Sequence, residues 1–302
     1  MANNTNGTFV VTKMPPGVEI FLIALNIFLS ISATLGNALI LVALRNVSSI
    51  HPPTKLLFRC LAVTDLCVGL ICQPLNVYLI IGNFIRELWY VFFFFYVVLL
   101  AVSPLTSAAI SVDRLLALLL RLRYRHVVTL CRVRVLITCV WFIAISNASL
   151  YCVAWILFKI NVIRASWWTF LTLIMVSIII SLFSYIKIFL TLRHQQAQVH
   201  GHVQPEQSSR VRSVLNIARY KKTVYSVAWI QFAMLACYGP QIVMAFLVDF
   251  GNIDYSTETR IANEVFLCLI FLNSSLNPVL YCWRIKNVRQ EVKNTIRKCL
   301  CC

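Results

Sequence analysis

Hydrophobic positions along this chain gather into seven long runs, at residues 21–44, 61–83, 88–112, 135–158, 165–186, 223–248 and 265–283. Each run is long enough to cross about 30 Å of hydrocarbon at about 1.5 Å per residue. Asp65 is the one charge inside the second run. A single stretch of this kind also describes a helix buried in a soluble core, but seven leave almost no water-soluble protein to bury them. The pattern predicts an all-α membrane protein. It is a seven-transmembrane helix bundle over 18–283, with a tail at 1–17 and a C-terminal amphipathic helix and cysteine-rich tail at 284–302.

Composition agrees, with 60% hydrophobic and 12% charged residues, far from a soluble domain. The formal charge of +17 suggests nucleic acid until the basic residues are placed. Arg45, Lys55 and Arg59 fall around the first connection, and Arg121, Arg123, Arg125, Arg132 and Arg134 around the third. Lys187, Arg193, Arg210, Arg212, Arg219, Lys221 and Lys222 surround the fifth, and six more follow the last run. The other side holds Lys13, Arg86, Lys159, Arg164 and Arg260. Positive charge accumulates on the cytoplasmic side, so the N-terminus is expected outside and the C-terminus in the cytoplasm of a multi-pass plasma-membrane protein. The basic excess is then a cytoplasmic face and no nucleic-acid partner is expected.

Smaller signals follow from that orientation. Asn3 and Asn6 head N-glycosylation sequons in the outer tail. Cys299, Cys301 and Cys302 follow a basic amphipathic stretch that would lie on the inner leaflet against membrane lipid, which makes them candidates for palmitoylation. The polar stretch 192–209 reads as a flexible cytoplasmic linker between the fifth and sixth helices. The outer tail and the loop near 159–164 are too short to form a ligand-binding domain, so any ligand must bind within the bundle.

Polar residues inside the runs carry the chemistry. The last run contains Asn273-Ser274-Ser275-Leu276-Asn277-Pro278-Val279-Leu280-Tyr281, and unpaired polar groups in hydrocarbon cost roughly several kcal/mol. Asn37, Asp65 and Ser103 lie in similarly apolar surroundings and are possible partners. An acid at such depth marks a functional site by default. Asp65 would be ionised beside a small cation and several oxygens, protonated, or a hydrogen-bonded packing residue. Asp113-Arg114 ends the third run, where the two charges can pair and hold the arginine sideways. Pro240, in Cys237-Tyr238-Gly239-Pro240, predicts a kink in the sixth helix.

The combination resembles the rhodopsin-like (class A) G-protein-coupled receptors, from the first helix to the C-terminal amphipathic helix. The resemblance is carried by Gly36-Asn37, Leu61-Ala62-Val63-Thr64-Asp65, Asp113-Arg114, Trp141, Tyr185, Cys237-Tyr238-Gly239-Pro240, and Asn277-Pro278 with Tyr281, in matching order and spacing. It implies a receptor that binds an extracellular ligand and activates heterotrimeric G proteins. It implies that Asp65, Ser103, Asn273, Ser274 and Asn277 form an allosteric sodium site, with no other cofactor. It also implies a switch made of Asp113, Arg114, Tyr185, Tyr238, Pro240, Asn277, Pro278 and Tyr281.

Departures from the family pattern are specific. Leu115 follows Asp113-Arg114 in place of tyrosine, and Tyr238 replaces the tryptophan of the sixth helix. Trp89 replaces the cysteine that opens the third helix, and no cysteine lies in the second outer loop, so the usual disulfide is absent. Ser177 stands where a proline is usual in the fifth helix, Pro104 is extra in the third, and Met234 replaces the connector phenylalanine. Tyr220 stands where an acid would lock Arg114, so raised basal signalling is expected. The missing disulfide and fifth-helix proline resemble the melanocortin, cannabinoid, lysophospholipid and adenosine receptor cluster. The segment Leu122-Arg123-Tyr124-Arg125-His126 is most similar to melanocortin receptors. Tyr96 replaces the aspartate of amine receptors and Phe271 the lysine that holds retinal. The resemblance puts Phe93, Tyr96, Val97, Tyr238, Gln241 and Phe271 around the ligand, with Glu264 nearer the rim. That lining suits an apolar or lipid-like small molecule or a small peptide.

A membrane transporter or channel is the alternative function, and it would need a continuous polar path that the uncharged upper halves of helices three to five do not offer. An enzyme is not expected, because no nucleophile–base or metal constellation appears and histidines are absent from the helical interiors.

Overall fold

The computed structural model describes residues 13–82, 85–201, 232–251, 256–284 and 286–300. Its seven long apolar helices are α1 (Pro16–Asn46), α2 (Pro52–Ile80), α3 (Arg86–Leu120), α4 (Leu130–Ile156), α5 (Ile160–Gly201), α6 (Phe232–Phe250) and α7 (Thr257–Arg284). A short helix, α8 (Lys286–Leu300), follows. "Inner" below means the half bearing α8, and "outer" the half bearing the start of α1. α3 is the central helix, packed against α2, α4 and α5, while α1 packs against α2, α7 and α8.

Local sequence explains several features of this frame. α1 starts on Pro16, whose fixed φ suits a first turn and whose missing N–H would have had no partner there. Its buried side chains Leu22, Asn26, Leu29, Ala33, Asn37 and Ile40 recur every three or four residues, a stripe turned to the bundle. In α2 a π turn at Val68–Cys72 precedes Pro74. Pro74 has no N–H and its ring would collide with a carbonyl four residues back in a regular helix. The Gln73 N–H reaches back five residues to the Val68 carbonyl instead. This shift frees the Gly69 carbonyl, which accepts a 2.7 Å bond from the Ser30 hydroxyl of α1. A Cβ on Gly69 would come within 2.7 Å of Thr34 Oγ1, so the two helices meet there because the residue is glycine.

The turns after α3 and α4 are short and tied down. Phe158 takes a φ of 51° after α4, a left-handed turn usually given to glycine. The Lys159 N–H bonds the Ala154 carbonyl at 2.8 Å and the Phe158 N–H the Trp155 carbonyl at 3.3 Å, which closes the helix end. At the inner side, a 3-10 turn (Arg121–Arg123) and a single helical turn (Tyr124–Val127) join α3 to α4. The Thr129 side chain then caps α4 by accepting from the Arg132 N–H at 3.4 Å.

Two large apolar clusters fill the bundle, beside a small third one of Leu118, Tyr185, Ile188 and Leu192. An outer one contains Tyr96, Val97, Phe170, Met234, Tyr238 and Phe271; an inner one contains Leu57, Phe58, Leu61, Ile110, Tyr281 and Val288 of α8. α8 is also tied to the first connection, where Asn287 Nδ2 donates to Ser49 Oγ at 2.6 Å.

The expected linker at 192–209 is corrected in part. α5 runs without interruption to Gly201, about four turns past the apolar run. Thr191–Gly201 has no proline and ends at its first glycine, so good helix formers carry the helix beyond hydrophobic support. Tyr220, His202, Asn3, Asn6, Cys301 and Cys302 lie outside the described residues.

Candidate functional site

The polar residues of the inner half form two connected sets. At mid-depth, Asp65 of α2 is completely buried. Its Oδ2 accepts from Asn277 Nδ2 of α7 at 2.6 Å and its Oδ1 from Ser103 Oγ of α3 at 3.4 Å, and Ser274 contacts the same carboxylate. Asn37 of α1 donates Nδ2 to the carbonyls of Ala33 at 2.9 Å and Ser274 at 3.1 Å. Pro278 explains the second bond: a proline loosens the ladder of its own helix, and the carbonyl of Ser274 is the one its ring displaces. Opposite Pro278 lies Gly36, where a Cβ would fall 2.8 Å from the proline Cγ. Close approach of α1 to α7 thus depends on Gly36, and it brings Asn37 into reach. Asn273 is also buried beside this set.

Nearer the inner end, Asp113 of α3 is buried and holds three groups. Its Oδ2 accepts from Thr54 Oγ1 of α2 at 2.9 Å, its Oδ1 from the Tyr124 hydroxyl at 2.7 Å, and Arg114 Nη2 lies 3.6 Å away. Thr54 and Tyr124 also touch each other at 3.1 Å. The turn after α3 is thereby fastened to α2 through a carboxylate. Arg114, whose side chain is 33% exposed, lies with its guanidinium 5.7 Å from the Phe58 ring centre. The other neighbour of Phe58 is Tyr281, edge-on at 5.1 Å. Tyr185 of α5 accepts from the Ser111 hydroxyl at 2.9 Å. Pro240 lies in α6, which stays helical from Phe232 to Phe250.

The residues expected around the ligand gather in the outer cluster. Tyr96, Val97, Tyr238 and Phe271 are all buried in it, and Phe93 packs against it. Phe93 is also one member of a ring network joining α3, α4 and α5. It stacks on Tyr151 at 4.2 Å and Trp89 at 5.2 Å and tilts against Trp167 at 5.8 Å. Trp89 in turn meets Trp155 edge-on at 5.2 Å. Rings thus occupy the region that a disulfide would brace. Gln241 donates Nε2 to Asn263 Oδ1 at 3.0 Å, and Glu264 accepts from Asn76 Nδ2 at 3.3 Å.

Sequence reasoning missed Thr54, Phe58, Tyr124, Asn26, Gln73 and Asn76 as site residues. The last three carry a signal that could have found them: each is an amide within or beside an apolar run, the same signal that singled out Asn37. Phe58 and Tyr124 give no such signal, since their roles depend on which helix they face.

Among the described residues no group of three or more His, Cys, Asp or Glu could hold a metal ion. One carboxylate with hydroxyl oxygens beside it suits a hard monovalent cation better than a transition metal.

Comparison with known proteins agrees with this architecture. The family described as 7 transmembrane receptor (rhodopsin family) matches residues 36–281. Melanocortin receptor 5 of Rattus norvegicus is 25% identical over 310 residues, covering 99% of this chain and 89% of the relative. Adenosine receptor A2b of Gallus gallus is 25% identical over 313 residues, covering 92% of this chain and 89% of the relative. Adenosine receptor A2b of Homo sapiens is 24% identical over 314 residues, covering 93% and 91%. With a family match that runs from the α1–α7 contact at Gly36 to Tyr281 beside Phe58, the chain belongs to the rhodopsin family of seven-transmembrane receptors.

Proposed function

We propose that this receptor binds an extracellular ligand within the outer half of its bundle and activates heterotrimeric G proteins at the plasma membrane. The observation that carries this reading is the setting of Arg114. It is a partly exposed cation at the inner end of the central helix, clasped by the buried Asp113 and by Phe58. Loosening that clasp turns the guanidinium toward a cytoplasmic partner. Phe93, Tyr96, Val97, Tyr238, Gln241, Glu264 and Phe271 take the ligand, whose body is apolar. Repacking around Tyr238 and Pro240 moves the inner end of α6, and Asn277, Pro278, Tyr281 and Tyr185 rearrange with it.

A panel of chimeric G proteins in cells, with and without Arg114→Ala, tests this. Constitutive or ligand-evoked signal lost in the variant at equal surface expression supports it. Substrate flux that needs no G protein would favour a transporter or channel instead.

Asp65, Ser103, Asn273, Ser274 and Asn277 would hold an allosteric sodium ion, which supplies a positive charge to the buried carboxylate when bound. The buried carboxylate of Asp65, with the Ser103 and Ser274 hydroxyls beside it, supports that assignment. Sodium should raise the thermal stability of the ligand-free receptor, and Asp65→Asn should remove the effect; unchanged sodium sensitivity rejects the site. The cationic connections support an outer N-terminus and a cytoplasmic C-terminus. Glycosylation at Asn3 and Asn6 and acylation of Cys299, Cys301 and Cys302 against the inner leaflet follow from that orientation. Hydroxylamine-sensitive acyl labelling that persists without the three cysteines rejects the second.

A further inference from the structure

The outer half of α7 receives one amide side chain from each of three helices. Gln241 of α6 donates Nε2 to Asn263 Oδ1 at 3.0 Å, and Asn76 of α2 donates Nδ2 to Glu264 Oε2 at 3.3 Å. One turn below, Asn26 of α1 donates Nδ2 to Cys268 Sγ at 3.3 Å. In every case the nitrogen faces α7. The oxygens Gln241 Oε1 and Asn26 Oδ1 stay buried with no donor.

Gln73 adds to the deficit. It lies one turn below Asn76 on α2, is fully buried, and neither Oε1 nor Nε2 has a partner. The deficit persists whichever way the amide is turned. Glu264, Cys268 and Phe271 share one side of α7, so the carboxylate lies on the same side as the fully buried Phe271. Arg260, one turn before Glu264, is the cation of this stretch. The seam therefore holds one carboxylate and three unmatched carbonyl oxygens against a single unmatched donor, Gln73 Nε2. Buried polar atoms are overwhelmingly paired in folded proteins, and leaving them unpaired is costly. A seam this short of donors is matched by a molecule that brings them.

We propose that this seam is the polar subsite of the ligand pocket, and that the ligand presents a head group rich in N–H donors, such as an amine or primary amide, on an apolar body. Gln73 Oε1 takes one donor and Glu264 another, and the carbonyl of an amide head would also accept the Gln73 N–H. An anionic head, as in a fatty acid or lipid phosphate, would set acceptor against acceptor and is excluded. The inference rests on the ligand-site reading above and adds the chemistry of the head group to it.

Two measurements on purified full-length receptor test it. First, Gln73→Met replaces an unmatched amide with an apolar chain of similar length. If the amide is kept for a ligand, the ligand-free variant melts higher, by roughly 2–4 °C. A lower melting point makes Gln73 a structural residue and overturns the proposal. Second, phenylbutylamine and phenylbutyrate share one body and differ in the head. At millimolar concentration the amine should raise the melting temperature of the wild type and leave Gln73→Met/Glu264→Gln unmoved. Equal stabilisation by the carboxylate, an amine effect that survives the double variant, or no amine effect overturns it. These results leave coupling through Arg114 untouched; loss of that coupling strikes the receptor reading itself.

Discussion

The two carboxylates of the inner half, Asp65 and Asp113, each accept hydrogen bonds from more than one segment of the chain. The outer ends of α3, α4 and α5 instead meet through rings, with centres 4.2–5.8 Å apart around Phe93. The difference teaches where a switch can live. A directed bond of 2.7 Å is lost over a small displacement, so groups that share one carboxylate have a made state and a broken state. Stacked and edge-on rings tolerate sliding, and their attraction is spread over many weak contacts. The outer half can therefore shift around a guest gradually, and the inner half converts the shift into a change of partners.

The comparison can be broken most forcefully at Phe93. Removing its ring leaves a cavity among Trp89, Tyr151 and Trp167, and such truncations cost about 3–5 kcal/mol in a packed core. Phe93→Ala should lower the melting temperature of purified receptor, with basal signal per surface molecule measured beside it. A rise in basal signal would mean that the rings are part of the switch.

Gly36→Ala comes next. Its new Cβ meets Pro278, and overpacking of this kind costs about 1–3 kcal/mol. Both stability and signalling should fall, because α7 is pushed from Asn37; a variant that melts like the wild type contradicts the assigned contact.

Tyr124→Phe removes one bond to Asp113 without changing shape. Hydrogen bonds to charged groups contribute about 1.5–3 kcal/mol, and 1.4 kcal/mol is a factor of ten. Basal signal should rise about tenfold at unchanged surface expression, measured beside the Thr54→Val variant, which removes the second bond.

Phe58→Leu is the smallest expected effect. It deletes a cation–π contact of about 0.5–1 kcal/mol with Arg114. A few-fold higher basal signal is expected, and Phe58→Trp should reverse it. If leucine and tryptophan behave alike, Phe58 acts by bulk alone.

Most of the helices were legible because a bilayer needs long apolar runs and the chain has seven. Their inner ends were not. Charges bound the apolar runs, yet α3 continues past Arg114 to Leu120 and α5 past Lys187 to Gly201, since helical hydrogen bonding does not stop at the hydrocarbon edge. The set around Asp65 was legible because an acid in hydrocarbon must have partners, and Asn277 and Ser103 were the nearest polar residues in depth. The loss of the usual disulfide was equally plain from Trp89. What replaces it was not, because rings at 89, 93, 151, 155 and 167 look like any aromatic residues in a membrane until the helices are juxtaposed. Tyr124 belongs to a loop in the sequence, and only the fold delivers it to Asp113.

The ring network also dictates an order of assembly. Its members come from α3, α4 and α5 in turn, and no cysteine lies in the short connection between α4 and α5 on that side. What joins these helices at this end is therefore ring packing. The third and fourth helices can meet first through Phe93–Tyr151 and Trp89–Trp155, and Trp167 of the fifth then closes on Phe93. A chain interrupted before α5 would keep those two contacts and leave the Phe93 ring without Trp167.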